Sequence, residues 1–118
     1  MATVYPTAAG AWSTRTWNND ATGAAYGMAP QVGDTVLANG LAITIDVDIT
    51  VVALSTRVGT TAVAGGSFTT SGTNRTVNAD TYGGTTSCLT LSAASSGVQN
   101  GNCYGSNTSN TYATTAQA

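Results

Sequence analysis

Leu41-Ala42-Ile43-Thr44-Ile45-Asp46-Val47-Asp48-Ile49-Thr50-Val51 alternates aliphatic residues with small or polar ones without a break. Successive side chains on a strand point to opposite faces, so six aliphatic groups fall on one side and Ala42, Thr44, Asp46, Asp48 and Thr50 on the other. A helix of 3.6 residues per turn would scatter the same residues around its circumference. The stretch therefore predicts one long strand whose aliphatic face is the keel of the core.

Turn signals lie on both sides of it. Gly33-Asp34 precedes a short strand at Thr35-Val36-Leu37-Ala38, and Asn39-Gly40 between two apolar runs predicts a hairpin. Val52-Ala53-Leu54 breaks the alternation and predicts a bend or bulge near Val51. Fainter strands are expected at Thr60 to Ala64, Ser67 to Thr70, Arg75 to Ala79, Ser87 to Ala93 and Thr111 to Thr114. Asn100-Gly101 repeats the hairpin signal, and from about Gly105 a loosely held tail or edge strand is expected. Ile43-Thr44-Ile45 is echoed by Ser67-Phe68-Thr69 and then by Cys88-Leu89-Thr90-Leu91. Val51 to Leu54 is echoed by Thr76 to Ala79. The offsets, roughly 22 to 25 residues, have the scale of one solenoid turn, and chance periodicity in a Thr-rich chain is the rival explanation.

The fold class expected is all-β: a small sandwich, barrel or short β-solenoid with an irregular N-terminal arm. Residues 1–32 form the arm or cap, 33–104 the β domain, and 105–118 the tail. The first segment holds both Trp, both Pro and both Met. Trp12 and Trp17 are five apart and would face opposite ways on one strand, so a turn between them is expected. The reading favoured for both is as plugs of the cap core; sugar stacking or partner docking, with Tyr26 joining them, is the alternative.

The charge inventory excludes more than it suggests. The 118 residues hold three Arg and five Asp, with no Lys, Glu or His. Charged residues make up 7% of the chain, against about 25% in ordinary soluble domains. Three Arg cannot build the basic footprint that a phosphate backbone requires, so no nucleic-acid partner is expected. No apolar run approaches the roughly 20 residues of a membrane helix, so no membrane is expected either. No secretory signal is visible in Met1-Ala2-Thr3-Val4-Tyr5-Pro6; the protein leaves the cell by another route, or a signal was removed.

Catalysis is disfavoured on the same ground. A nucleophilic Ser needs a base within hydrogen-bond reach, and the chain has no His. Asp46 and Asp48 share a face, yet they lack a partner poised near neutral pH and lack the oxygen ligands that calcium requires. They are read as a solvated face that deters edge pairing, or as partners of an Arg from a neighbouring chain. Arg15, Arg57 and Arg75 are so few that each is expected to meet a defined carboxylate or carbonyl. Cys88 and Cys103 are either bridged, worth about 3 kcal/mol in the chain-entropy model, or two half-buried thiols. Two thiols without His make only half a zinc site, so no metal and no cofactor is expected.

The chain from Gly10 to Ala79 resembles β-rich structural proteins of tailed-bacteriophage virions. The residues that carry the resemblance are Gly10-Ala11-Trp12-Ser13, Thr16-Trp17-Asn18, Pro30 to Val36, the row Ile43 to Val51, and Gly65-Gly66-Ser67-Phe68-Thr69. Bacterial surface adhesins share the Gly-Asp-x-Val and Ile-Thr-Ile pattern. The resemblance implies a non-enzymatic capsid decoration (cement) protein, a homotrimer binding the major capsid protein or another virion protein. It implies a virion location, made in the host cytoplasm and exposed after lysis. The alternatives are a tail fibre or spike module, or an adhesin module that binds a surface glycan.

Overall fold

Neighbouring strands of a parallel sheet need a long return path, because the chain must come back to the same end before pairing again. This chain makes the return through a second sheet. The computed structural model describes residues 2–58, 61–62, 66–72, 74–82, 88–91 and 98–104, and these are mostly strand. In chain order the strands are β1 Thr3–Pro6, β2 Gly10–Ala11, β3 Trp17–Asn19, β4 Thr35–Leu37 and β5 Ala42–Ile45. There follow β6 Ile49–Ser55, β7 Arg57–Val58, β8 Thr61–Ala62, β9 Ser67–Thr70, β10 Thr76–Tyr82, β11 Leu89–Thr90, β12 Val98–Asn100 and β13 Cys103–Tyr104. A 3-10 turn spans Trp12–Thr14.

The larger sheet runs β12-β10-β6-β4-β1-β3, with β13 also beside β10, and the smaller runs β11-β9-β5-β2. The smaller sheet is parallel throughout. In the larger one only the β1–β3 pair is antiparallel. From β5 onward, apart from the antiparallel β7–β8 ribbon, the chain visits the two sheets in turn, so each pass lays one rung on the last. Ile43 lies opposite Phe68, and Phe68 opposite Leu89. In the larger sheet Ile49 lies opposite Val77, and Val77 opposite Gln99. Val4, Val36, Leu54 and Val77 from the larger sheet share one buried cluster with Ile43, Ile45, Phe68 and Leu89 from the smaller. Each such side chain contributes about 1.5–3 kcal/mol by leaving water.

The sheets do not close into a barrel, so that alternative falls. The single strand over Leu41 to Val51 is also corrected. Its alternation covers β5 in one sheet, a corner at Asp46-Val47-Asp48, and the start of β6 in the other. Ile43, Ile45, Ile49 and Val51 are buried, whereas Val47 at the corner is 37% exposed. A period of two cannot tell one straight strand from two strands that face each other across a bend. The irregularity expected near Val51 is present: Thr50 pairs with Asn78 and Ala53 with Asp80, leaving an extra residue in β6.

Neither hairpin forms. Asn39 and Gly40 both take positive φ, 58° and 75°, and the Leu41 N–H donates to the Ala38 carbonyl at 3.1 Å. The tight turn is there, but it carries the chain from β4 in one sheet to β5 in the other. Turn chemistry sets the local bend and leaves the choice of pairing partner to the rungs. Asn100-Gly101 is a step between β12 and β13, which both run parallel to β10. A side chain at Gly101 would run into the Ala79 carbonyl and the Asp80 nitrogen of β10. Gly101→Ala is therefore expected to cost about 1–3 kcal/mol by overpacking and to part β13 from β10. A urea titration would check the cost, and hydrogen exchange of the Thr81 amide, bonded to the Asn102 carbonyl, would check the separation.

Residues 1–32 contribute strands to both sheets. β1 lies between β4 and β3 in the larger sheet, and Val4 is fully buried. The expected strand at Thr111 to Thr114, the tail from 105, and residues 60, 63–64, 87 and 92–93 lie outside the described residues.

Candidate functional site

Most described carboxylates are used to hold the chain together. Asp46 reaches back to the 3-10 turn, where the Ser13 N–H donates to it at 3.0 Å and the Ser13 hydroxyl at 2.5 Å. Burial pushes its carboxyl up, but the two Ser13 donors and the more distant Arg75 outweigh this and hold it below the ordinary carboxylate value. Asp48 reaches forward to the next rung. It accepts the Thr76 N–H at 2.9 Å and a guanidinium N–H of Arg75 at 3.1 Å. Those two donors, the backbone one first, lower its pKa. Asp80 takes the Asn102 N–H of the rung after that at 2.9 Å. Beside these staples the Asn78 side chain donates to the Thr50 hydroxyl at 3.0 Å and the Asn100 side chain to Asn78 Oδ1 at 2.8 Å, a polar ladder over three rungs. The guarded, solvated face expected for Asp46 and Asp48 is thus a pair of inter-rung clamps, and the Arg beside Asp48 belongs to the same chain.

Asp34 closes the cap. It is fully buried and accepts the Tyr26 hydroxyl at 2.6 Å, the Gln31 N–H at 2.7 Å and the Ala2 N–H at 2.9 Å. Burial raises its carboxyl, and the three donors more than reverse that, leaving it below the ordinary value. The same bond pushes the Tyr26 hydroxyl up, because loss of its proton would set two anions face to face. Tyr26 is therefore bound edge-on into the cap and packs against the core.

Trp12 and Trp17 are 3% exposed each. Their rings meet at 4.8 Å between centroids with a 57° tilt, and Trp12 lies 6.3 Å from Phe68. The 3-10 turn between them supplies the reversal that lets residues five apart pack together. Burial to this degree leaves little indole surface for a sugar to stack on and agrees with the core-plug reading of Trp12 and Trp17. Cys88 is buried with its Sγ 3.5 Å from the Leu54 carbonyl. The side chains of Cys103 and Arg57 lie outside what is described, and with them the expected bridge and the expected Arg57 contact.

The arginines divide. Arg75 has the partners expected of it, Asp48 and the Ser71 carbonyl at 2.9 Å. Arg15 does not: among the described residues its side chain has no hydrogen-bond or ion-pair partner, and its buried Nε–H has no acceptor. Three guanidinium atoms lie 3.1–3.3 Å from where a Cβ of Gly10 would stand, so the cation covers β2, the end strand of the smaller sheet.

Arg15 also lines a groove of about 550 Å³ at the first rung, with Trp12, Trp17, Asn18 and Met28 among the other lining residues. The Trp17 Nε1–H is a second buried donor there without an acceptor. Leaving such a group unpaired costs about 1–3 kcal/mol. Met28 is 53% exposed. Arg15 was expected to meet a carboxylate or a carbonyl; in the folded cap neither is bonded to it among the described residues. Among the described residues no cluster of three or more His, Cys, Asp or Glu could hold a metal ion, and no helix is long and apolar enough to cross a membrane. No protein-family model matches the chain, and neither a curated protein nor a solved structure matches it.

Proposed function

We propose that this chain is a non-enzymatic structural protein of a tailed-phage virion, a capsid decoration protein that works by protein–protein contact as a homotrimer. The fold we assign to it is a short β-solenoid. The observation that carries the reading is where the charge goes. Asp46, Asp48 and Asp80 are each bonded to a backbone N–H of a neighbouring pass of the chain, and Asp34 to two within the cap. Carboxylates committed in this way stiffen a scaffold and are not poised for proton transfer. A rigid scaffold with few charged groups presents shape and modest apolar surface, which is what symmetric assembly uses. A fibre or spike module is the second reading. The regular addition of rungs favours it, since such a stack grows along one axis. The glycan-binding alternative loses support with its two indole platforms buried.

Two measurements test the proposal. Light scattering after gel filtration should give a trimer, and the neighbouring genes should encode capsid, portal or tail proteins. A strict monomer encoded among metabolic genes would sink it. Asp46→Asn replaces one carboxylate oxygen by a donor and is expected to loosen the Ser13 turn while leaving the core and the oligomer intact. Loss of the oligomer in that variant would move the assembly surface to the Asp46 corner.

A further inference from the structure

We propose that the groove at the first rung is a docking site for an extended segment of a partner protein, one that presents a carboxylate beside an aliphatic side chain. The proposal rests on the assembly reading above and deepens it by locating one contact.

Charge complementarity sets the occupant. Arg15 is half-buried, cationic and has no anion among the described residues, while Arg75 is paired with Asp48. An arginine fork takes a planar carboxylate with two parallel N–H donors. Among the described residues no carboxylate lines the groove: Asp34, Asp46, Asp48 and Asp80 are bonded elsewhere, and Asp20 lies apart beside Thr3 and Thr35. Trp17, which also lines the groove and is 3% exposed, carries a second donor, Nε1–H, that has no acceptor among the described residues. Asn18 is also on the wall.

The rest of the wall selects the body of the ligand. The indoles leave little surface for face-on stacking, which disfavours a sugar ring. Met28 is open, flexible and polarisable, the kind of residue that moulds to an aliphatic side chain. Arg and Met are both enriched at the cores of protein interfaces. A volume of about 550 Å³ holds two or three side chains of an extended peptide and is within the usual range for ligand clefts.

The test is an NMR titration of the ¹⁵N-labelled full chain with two capped tripeptides, acetyl-Leu-Asp-Leu-amide and acetyl-Leu-Asn-Leu-amide. The Asp peptide is expected to move the indole N–H signals of Trp12 and Trp17 and to bind about tenfold tighter than the Asn peptide, the worth of one charge-assisted bond. Arg15→Gln should remove that preference, and Arg15→Lys should keep part of it. Because Arg15 covers β2, its loss could unfold the cap. Met28→Glu is therefore the second variant: it sets a carboxylate on the groove from an exposed position and should abolish Asp-peptide binding with the spectrum of the core unchanged. Equal binding of the two peptides, no binding of either, or signals that move only elsewhere would each overturn the proposal. A trimer that forms normally alongside those results would discard the groove and leave the assembly reading standing. A monomer that still prefers the Asp peptide would do the reverse.

Discussion

Ile45→Asp is expected to give no folded protein. Ile45 is fully buried in β5 and belongs to the cluster where the two sheets meet. Removing its side chain from a packed core would cost about 2–5 kcal/mol. A carboxylate in its place has no cation within the cluster, and an unpaired buried charge costs several kcal/mol more. The sum reaches the whole stability of an ordinary domain, about 5–15 kcal/mol. Circular dichroism should lose its strand signal, and the amide spectrum should collapse to the random-coil range. Two controls sharpen the result. Ile45→Val should stay folded at a cost of about 0.5–1.5 kcal/mol. Val47→Asp should also stay folded, because Val47 sits at the exposed corner. On one straight strand Val47 would be the centre of the aliphatic face, and its Asp variant would fail with the others. A folded Ile45→Asp together with an unfolded Val47→Asp would reverse the assignment of the corner.

Asp34→Ala is expected to be the most damaging polar substitution, costing several kcal/mol, since hydrogen bonds to a charged group contribute about 1.5–3 kcal/mol each. Three donors converge on this buried carboxylate and would lose their acceptor at once. The cap should open first, releasing β1 from β4, because the Ala2 N–H that Asp34 holds lies just before β1. Hydrogen exchange at Val4 and Val36 would report it. The pH dependence follows from the direction of the shift. The folded pKa of Asp34 is lowered from 3.8, so the folded state binds this proton less readily than the unfolded state does. Its contribution is complete above about pH 4 and is lost as pH falls through the lower folded value. Asp46 and Asp48 are lowered as well and act in the same direction. Thermal melts from pH 5 to pH 2 should show stability falling below pH 4, with a shallower fall in Asp34→Asn. Identical slopes for the two proteins would remove Asp34 from the account.

Ile43, Ile45, Ile49 and Val51 were legible as core from their spacing alone, and so was the irregularity after Val51, because alternation reports which side of the chain faces inward. The turn at Asn39-Gly40 was legible for a similar reason: only those residue types accept positive φ cheaply. The candidate groove was half legible. Arg15 and the two Trp could be picked out by their rarity, but their roles depended on distances between segments that the sequence does not encode locally.

Local chemistry determined by itself that this is a strand-rich chain with few charged groups, where it turns, and which side chains leave water. Tertiary structure alone decided that the strands pair in parallel across successive passes, that the aliphatic row bends through Asp46-Val47-Asp48 into a second sheet, and that Asp46 and Asp48 clamp neighbouring passes. The physical reason is the range of the forces involved. Periodicity and turn propensity act over a few residues, whereas the pairing of Phe68 with Ile43 or of Arg75 with Asp48 joins residues some 25 positions apart. Arg15 is the sharpest case, because its lack of an anion among the described residues is a property of what the fold does not bring near it.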